Sequence, residues 1–526
     1  MTNTLSILTR RRSAAAAQSA PIPGTMPNEA GGHAFPVDDW ARLERFLVLG
    51  SEGGSFYAGE ATLTRDNAAS VLRAIAADGA RAVACIVSVS EGGRAPRNDP
   101  ALFALALAAA ADDLATRRAA LAALPRVART GTHLFRFAGF VEGTRGWGRA
   151  LRRAVGAWYA DQPLERLAYG LVKYRQRGGW SHRDLLRLSH PAVTDPVRAA
   201  LLEWACRGTV GGALPPFVAA AARLNQAVDG AEAAALIRAH DLPREAVPTA
   251  LLNEAAVWEA LLERMPMTAL LRSLAKLTAV GVLRPFGDAL PGVLSALGDA
   301  ERIRRARLHP LAILVALRTY AAGRGDRGGL VWEPVGAVVD ALNAAFYTAF
   351  RFVEPTGRRL LLALDVSGSM ATGCVAGSSL TPREASAALA LLTAATEPQC
   401  HVVGFADTLV PLPLTASMRL DDAVRAVSDL PFGATDCAQP MLHALERGLS
   451  VDAFVVFTDS ETWAGAIHPA QALRLYRERT GIAAKLVVVG LVSNGFSIAD
   501  PADAGMLDVV GFDTAAPAVV ADFIRS

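Results

Sequence analysis

Between residues 33 and about 350 the apolar positions recur at helical spacing. Leu151, Val155, Trp158 and Tyr159 share one face, as do Leu164, Leu167, Ala168 and Leu171. Glycine pairs such as Gly178 with Gly179, Gly211 with Gly212 and Gly328 with Gly329 punctuate the run, and strand patterns are scarce. So many helices with no sheet to pack on predict an α-solenoid of stacked pairs. After residue 358 the pattern changes to short apolar runs at 360–364, 401–405, 454–457 and 486–489, separated by helical segments. These read as buried strands. Thr381, Pro382 and Glu384 supply an N-cap, a first-turn proline and a capping-box acid for the helix that runs toward residue 395. Strand, helix and strand repeated in this way give a doubly wound α/β domain with a parallel sheet. The chain is therefore divided into a disordered N-terminal tail at 1–32, a helical-repeat domain at 33–358 and an α/β domain at 359–526.

A length of 526 residues agrees with two or more domains of ~100–200 residues each. With 52% apolar and 20% charged residues the composition is that of a folded chain, not a disordered one. The mean hydropathy of +0.27 reflects alanine, and no run of ~18 uncharged apolar residues is present, so no membrane segment is expected. Five widely spaced cysteines without a CxxC pair exclude a disulfide framework and a zinc ribbon. Residues 10–12 are arginines, but no signal-peptide apolar stretch follows, and the expected compartment is the reducing cytoplasm. The net charge of +3 conceals an asymmetry. Residues from 359 onward carry 10 basic and 18 acidic side chains, leaving 43 and 32 before them. A basic helical half suits an anionic partner such as nucleic acid.

The first strand of the α/β half runs into Asp365, Ser367 and Ser369, beyond the carboxyl end where open sheets bind ligands. Thr435 lies in a Gly-Ala-Thr-Asp loop, and Asp459 follows a later strand. Carboxylates and hydroxyls are hard oxygen ligands, suited to Mg²⁺ or another divalent cation that keeps an open position for a ligand acid. Helix capping alone would explain the serines and Asp365 but neither Thr435 nor Asp459. No Gly-rich phosphate loop or second-metal cluster accompanies the site, which argues against an enzyme.

The Asp-x-Ser-x-Ser spacing with its downstream Thr and Asp resembles the metal-ion-dependent adhesion site of von Willebrand factor A (vWA) domains. Other stretches resemble the TROVE domain of the Ro 60 kDa autoantigen family. Among them are Gly146-Trp147-Gly148-Arg149-Ala150-Leu151, Lys173-Tyr174-Arg175-Gln176-Arg177, Gly179-Trp180-Ser181-His182, Met267-Thr268-Ala269-Leu270-Leu271-Arg272 and Val353-Glu354-Pro355-Thr356-Gly357. The likeness runs in order from about residue 33 to the C-terminus. It implies a monomeric ring of HEAT-like helical repeats closed by a Rossmann-like vWA domain. It further implies that a small noncoding Y-like RNA binds outside, that single-stranded 3′ ends of misfolded RNA enter the ring, and that RNA quality control proceeds with polynucleotide phosphorylase or another exoribonuclease.

The residues can be read on their own terms at the same place. On a helix drawn through 164–177, Arg166, Tyr169, Lys173 and Arg177 fall opposite the apolar stripe, one aromatic among cations. Arg149, Arg152 and Arg153 form a second basic face. Ser181 and Asp184 predict a capping box, putting His182 at the start of a surface helix and His190 at its end. The resemblance places residues 173–190 on the RNA-binding surface, so His182 and His190 join Arg149, Arg152, Arg153, Lys173 and Arg177 as candidate RNA contacts. Trp180 is expected in the core. The competing reading is a Mg²⁺-dependent protein-interaction scaffold whose basic helices are merely solvated.

Overall fold

The computed structural model describes residues 16–49, 68–95, 97–211, 213–325, 329–371, 375, 380–412, 414–415, 418–428, 434–490, 496–510 and 516–526. The arginines at 10–12, Gly212, Gly328, Cys374 and Gly433 lie outside these residues.

From Asp39–Leu49 to Gly336–Phe350 the described chain is a succession of helices. Their starts are written locally. Asp78, Asp113, Asp195, Asp229 and Asp299 each accept an amide of the first turn, while Pro196, Pro216 and Pro310 stand within it. Helices pack on their successors, as Gly230–His240 does on Ala255–Leu262 and Pro310–Ala321 on Gly336–Phe350, and also across one element, as Gly79–Glu91 does on Leu114–Val127 and Asp99–Ala109 on Gly131–Thr144. Helix Asp99–Ala109 sits between layers, and every residue after Asp99 is buried, as an element apolar all round requires.

The α/β half holds a sheet of six strands among the described residues: β1 (Leu360–Asp365), β2 (Cys400–Phe405), β3 (Leu409–Pro411), β4 (Ala453–Thr458), β5 (Lys485–Gly490) and β6 (Met506–Val510). Their order is β6-β5-β4-β1-β2-β3, parallel except for the edge strand β3. The sheet is buried on both faces, so its strands read as apolar runs. Leu361, Ala363, Phe454 and Val456 face one core, shared with helices Gln439–Glu446 and Pro469–Thr480. Leu360, Leu362, Val455 and Phe457 face another, continuous with the core of the helical half.

Both ends of the helical succession dock on this domain. At the start, buried Arg45 of helix Asp39–Leu49 pairs with Asp508 of β6 and donates to the Phe496 carbonyl at 3.5 Å. At the end, the Tyr347 hydroxyl of helix Gly336–Phe350 accepts from the Leu420 amide at 2.7 Å. The chain thus closes on itself through the α/β domain.

Residues 16–32 correct the expected disordered tail. They lie against the α/β domain, with Met26–Pro27 paired to His33–Pro36, which pairs in turn with Phe496–Ser497. Gln18 is fully buried, and its Nε2 donates to Asp436 Oδ1 at 2.6 Å and to the Ile467 carbonyl at 2.8 Å. Its Oε1 accepts from Thr462 Oγ1. A tail reading failed because the partners of this irregular, proline-bearing segment lie more than 400 residues away. No described helix is long and apolar enough to cross a membrane.

Candidate functional site

Strand order places the first candidate site. From β1 the chain moves to β2 on one side and later to β4 on the other, so the switch point lies between the carboxyl ends of β1 and β4. Asp365 ends β1, and Asp459 follows β4 directly. Both are buried. The Asp365 carboxylate accepts the Ser367 amide at 2.9 Å and Thr458 Oγ1 at 2.7 Å. Ser367 Oγ lies 3.0 Å from Ser369 Oγ, and Ser369 in turn hydrogen-bonds Asp459. Asp459 also accepts the Glu461 amide at 3.0 Å. The next residue, Ser460, takes a left-handed φ of 64°, a conformation that side chains rarely adopt and that turns the chain sharply after the ligand loop.

Thr435 is buried, and its carbonyl accepts the amides of Trp463 at 3.0 Å and Ala464 at 3.1 Å, which ties its loop to the one after Asp459. The structure thus gathers Asp365, Ser367, Ser369 and Asp459 into one hydrogen-bonded cluster and fixes Thr435 on the adjoining loop. Burial, and secondarily the Asp459 carboxylate, pushes Asp365 up to about 7. Burial likewise raises Asp459. Two carboxylates held from water beside hydroxyls are a hard-oxygen donor set with uncompensated charge, and they fit a divalent cation. Among the described residues no group of three or more His, Cys, Asp and Glu could hold a metal, so any ion here would depend on the hydroxyls.

Other residues of this site were not singled out from sequence. Thr458 bonds Asp365, and buried Arg383 shapes the ligand loop by donating through Nη2 to the carbonyls of Val366 at 3.1 Å and Ser367 at 3.0 Å. Thr458 stands next to Asp459 and could have been found there. Arg383 sits inside the recognised capping box and carried no signal of its own.

The second candidate site lies on helices Arg149–Ala160, Leu164–Lys173 and His182–Ser189 and on the turn between the last two. Arg149, Arg152, Arg153, Arg177 and His190 are exposed. Arg177 is not on the helix as expected, because that helix ends at Lys173 and Arg177 belongs to a two-residue hairpin strand paired with Trp180–Ser181. Gly178 and Gly179, both at positive φ, form the turn. His190 ends its helix in a left-handed conformation at φ 43°. Lys173 is half-buried, with Nζ 3.2 Å from the Tyr169 hydroxyl and 5.6 Å from the Tyr174 ring centre.

His182 is a correction. The predicted capping box is present, but the ring turns inward, is only 4% exposed and accompanies Phe135 and Tyr159 at centroid distances of 4.7 and 5.7 Å. Its Nδ1 lies 2.8 Å from the Tyr159 hydroxyl. Burial lowers it to about 4. A neutral, enclosed imidazole cannot meet RNA. Trp180 is half-buried and packs on Trp147 at 5.5 Å.

A ring of stacked helices closed by an α/β domain, with a hydroxyl-rich acidic site at its switch point, defines a helical-repeat protein joined to a vWA domain. Residues 26–209 and 239–319 match the TROVE domain model, and residues 359–524 match the Ro60 vWA domain. The RNA-binding protein RO60 of Deinococcus radiodurans is 46% identical over 508 residues, covering 95% of each chain. RNA-binding protein RO60 of Caenorhabditis elegans is 37% identical over 582 residues, covering 95% of this chain and 90% of that one. The crystal structure of the Deinococcus radiodurans Ro (Rsr) protein is similar with a TM-score of 0.76 at 45% identity, covering 93% of this chain and 99% of that one. The chain belongs to the Ro60 family.

Proposed function

We propose that this protein binds RNA and is not itself an enzyme. Arg149, Arg152, Arg153, Lys173, Arg177 and His190 hold a small noncoding Y-like RNA on the outer surface. The ring admits single-stranded ends of misfolded RNA and presents them to an exoribonuclease, polynucleotide phosphorylase or another, in cytoplasmic RNA quality control. The observation that carries this reading is unspent charge. Some surface arginines are paired, as Arg126 is with Glu91, Arg238 with Glu263 and Arg264 with Asp241, while others among the described residues, such as Arg118, Arg223 and Arg272, stand singly and exposed. Among the described residues, the side chains of Arg149, Arg152, Arg153 and Arg177 hydrogen-bond and ion-pair with nothing. Four exposed guanidinium groups left without partners on neighbouring elements favour a polyanion. The names of the relatives agree with this.

Affinity for a transcribed structured small RNA, measured against salt, tests it. Binding should weaken steeply with salt, and Arg152→Ala with Arg153→Ala should flatten the slope by about two units. An unchanged slope would remove these arginines from the interface.

The buried carboxylates favour a second role for the α/β half. Asp365, Ser367, Ser369, Thr435 and Asp459 would hold Mg²⁺ or another divalent cation, supplying a Lewis-acid position for a carboxylate of a partner protein. Partner capture that is lost in EDTA and in Asp365→Ala but survives nuclease would support this role. Capture indifferent to EDTA would oppose it.

A further inference from the structure

Helix Leu164–Lys173 presents an aromatic side chain to solvent. Tyr169 is 41% exposed, and its ring lies near-parallel to that of Phe217, at 26° with centroids 5.9 Å apart. Phe217 comes from the first turn of helix Pro216–Leu224, where Pro215 and Pro216 fix the backbone. Against this pair opens a cavity of about 410 Å³ lined by Leu164, Glu165, Ala168, Tyr169, Pro215 and Phe217. Cations stand around it. Lys173 Nζ donates to the Tyr169 hydroxyl at 3.2 Å, exposed Arg166 lies one helical turn before Tyr169 with its Nη2 donating to the Arg129 carbonyl at 3.1 Å, and Arg175 bonds Asn225 Oδ1 at 2.7 Å at the far end of the Phe217 helix.

We propose that this cleft is a subsite for one unpaired base of a bound RNA, which stacks on Tyr169 and Phe217 while its neighbouring phosphates rest on Lys173 and Arg166. The inference rests on the RNA-binding reading and adds to it a ligand group and a place. The lining is apolar except for one carboxylate. Glu165 repels a phosphate but can accept from the amino edge of a base, so the base enters and the backbone stays at the rim. Lys173 Nζ stands 3.2 Å from the Tyr169 hydroxyl and 5.2 Å from its ring centre, so a cation accompanies the aromatic platform at its hydroxyl end. An aromatic floor with cations at its edge is how sequence-tolerant single-strand binding is built. The cavity also exceeds the ~300 Å³ at which small-ligand pockets begin.

The probe is a uridine octamer carrying 2-aminopurine at a central position, whose fluorescence is quenched on stacking. Wild type should quench it on binding. Tyr169→Ala should abolish the quench and weaken binding about tenfold without changing the salt slope. Tyr169→Phe should keep the quench. Lys173→Ala should lower both affinity and slope yet retain the quench at saturation. Phe217→Ala, compared with wild type by thermal unfolding, repeats the test from the other helix. Binding without quench in wild type, or quench and affinity intact in Tyr169→Ala, overturns the subsite. Binding of structured RNA but not of the octamer overturns the subsite alone. Failure to bind either RNA overturns the RNA-binding reading and the subsite with it.

Discussion

Replacing Asp365 by Asn should stabilise the metal-free protein, although the residue is buried at the centre of the sheet. The Asp365 carboxyl is raised from 3.8 to about 7 by burial and by Asp459. A shift of ~3 units is about 4 kcal/mol, which is the cost of holding that group ionised at pH 8. Asn retains the shape and both contacts. Its Oδ1 can accept the Ser367 amide, now at 2.9 Å, and its Nδ2 can donate to Thr458 Oγ1, now at 2.7 Å. The amide must itself be desolvated, and the cost is shared with Asp459, so the expected net gain is about 1–3 kcal/mol. Urea unfolding in EDTA at pH 8 reads it directly. Mg²⁺ should reverse the order, stabilising wild type by about 2.7 kcal/mol at a hundredfold excess over its dissociation constant and the variant not at all. A variant less stable than wild type in EDTA, or equal stabilisation of both by Mg²⁺, would refute the reasoning.

Arg45→Ala leaves Asp508 without its buried partner and should cost about 2–4 kcal/mol, with faster hydrogen exchange in helix Asp39–Leu49 where the helical half meets β6. Slow exchange there in the variant would show that the ion pair does not hold this junction. Gln18→Ala removes two donor bonds and an acceptor from the loops beside Thr435 and Asp459, and should lower the unfolding free energy by about 2–4 kcal/mol in urea. His182 is held neutral, with its value lowered from 6.5 to about 4, so the unfolded chain binds more protons within that window and stability falls as pH drops through it. Between pH 7.5 and 5 this amounts to about 2 kcal/mol, and the decline should be smaller by that amount in His182→Gln. Equal declines would contradict the assignment.

The sheet was legible because each central strand is a short apolar run bounded by polar loops, and because Thr381 and Glu384 mark the start of the helix after β1 with a capping box that is present. Asp365, Ser367, Ser369 and Asp459 could be found because each stands at or just beyond a strand end, the one place where local pattern and topology coincide. Residues 16–32 carry no periodicity, and what orders them is Asp436, Thr462 and Ile467 far along the chain. His182 shows the same limit at one side chain. Its capping box is local and was readable, but its burial depends on Phe135 and Tyr159, which no nearby pattern reveals. Arg177 left the helical face because the helix stops at Lys173, ahead of two glycines at positive φ whose turn overrides the helical spacing of Arg166, Tyr169, Lys173 and Arg177.

The central claim is that the basic face of the helical half holds RNA. Protein purified from its native cells at moderate salt, as wild type and as the Lys173→Ala/Arg177→Ala double variant, can be stripped and its nucleic acid sequenced. A discrete structured small RNA in wild type that is lost from the variant is the expected result. Nucleic-acid-free wild type, or the same RNA in both, would contradict the account.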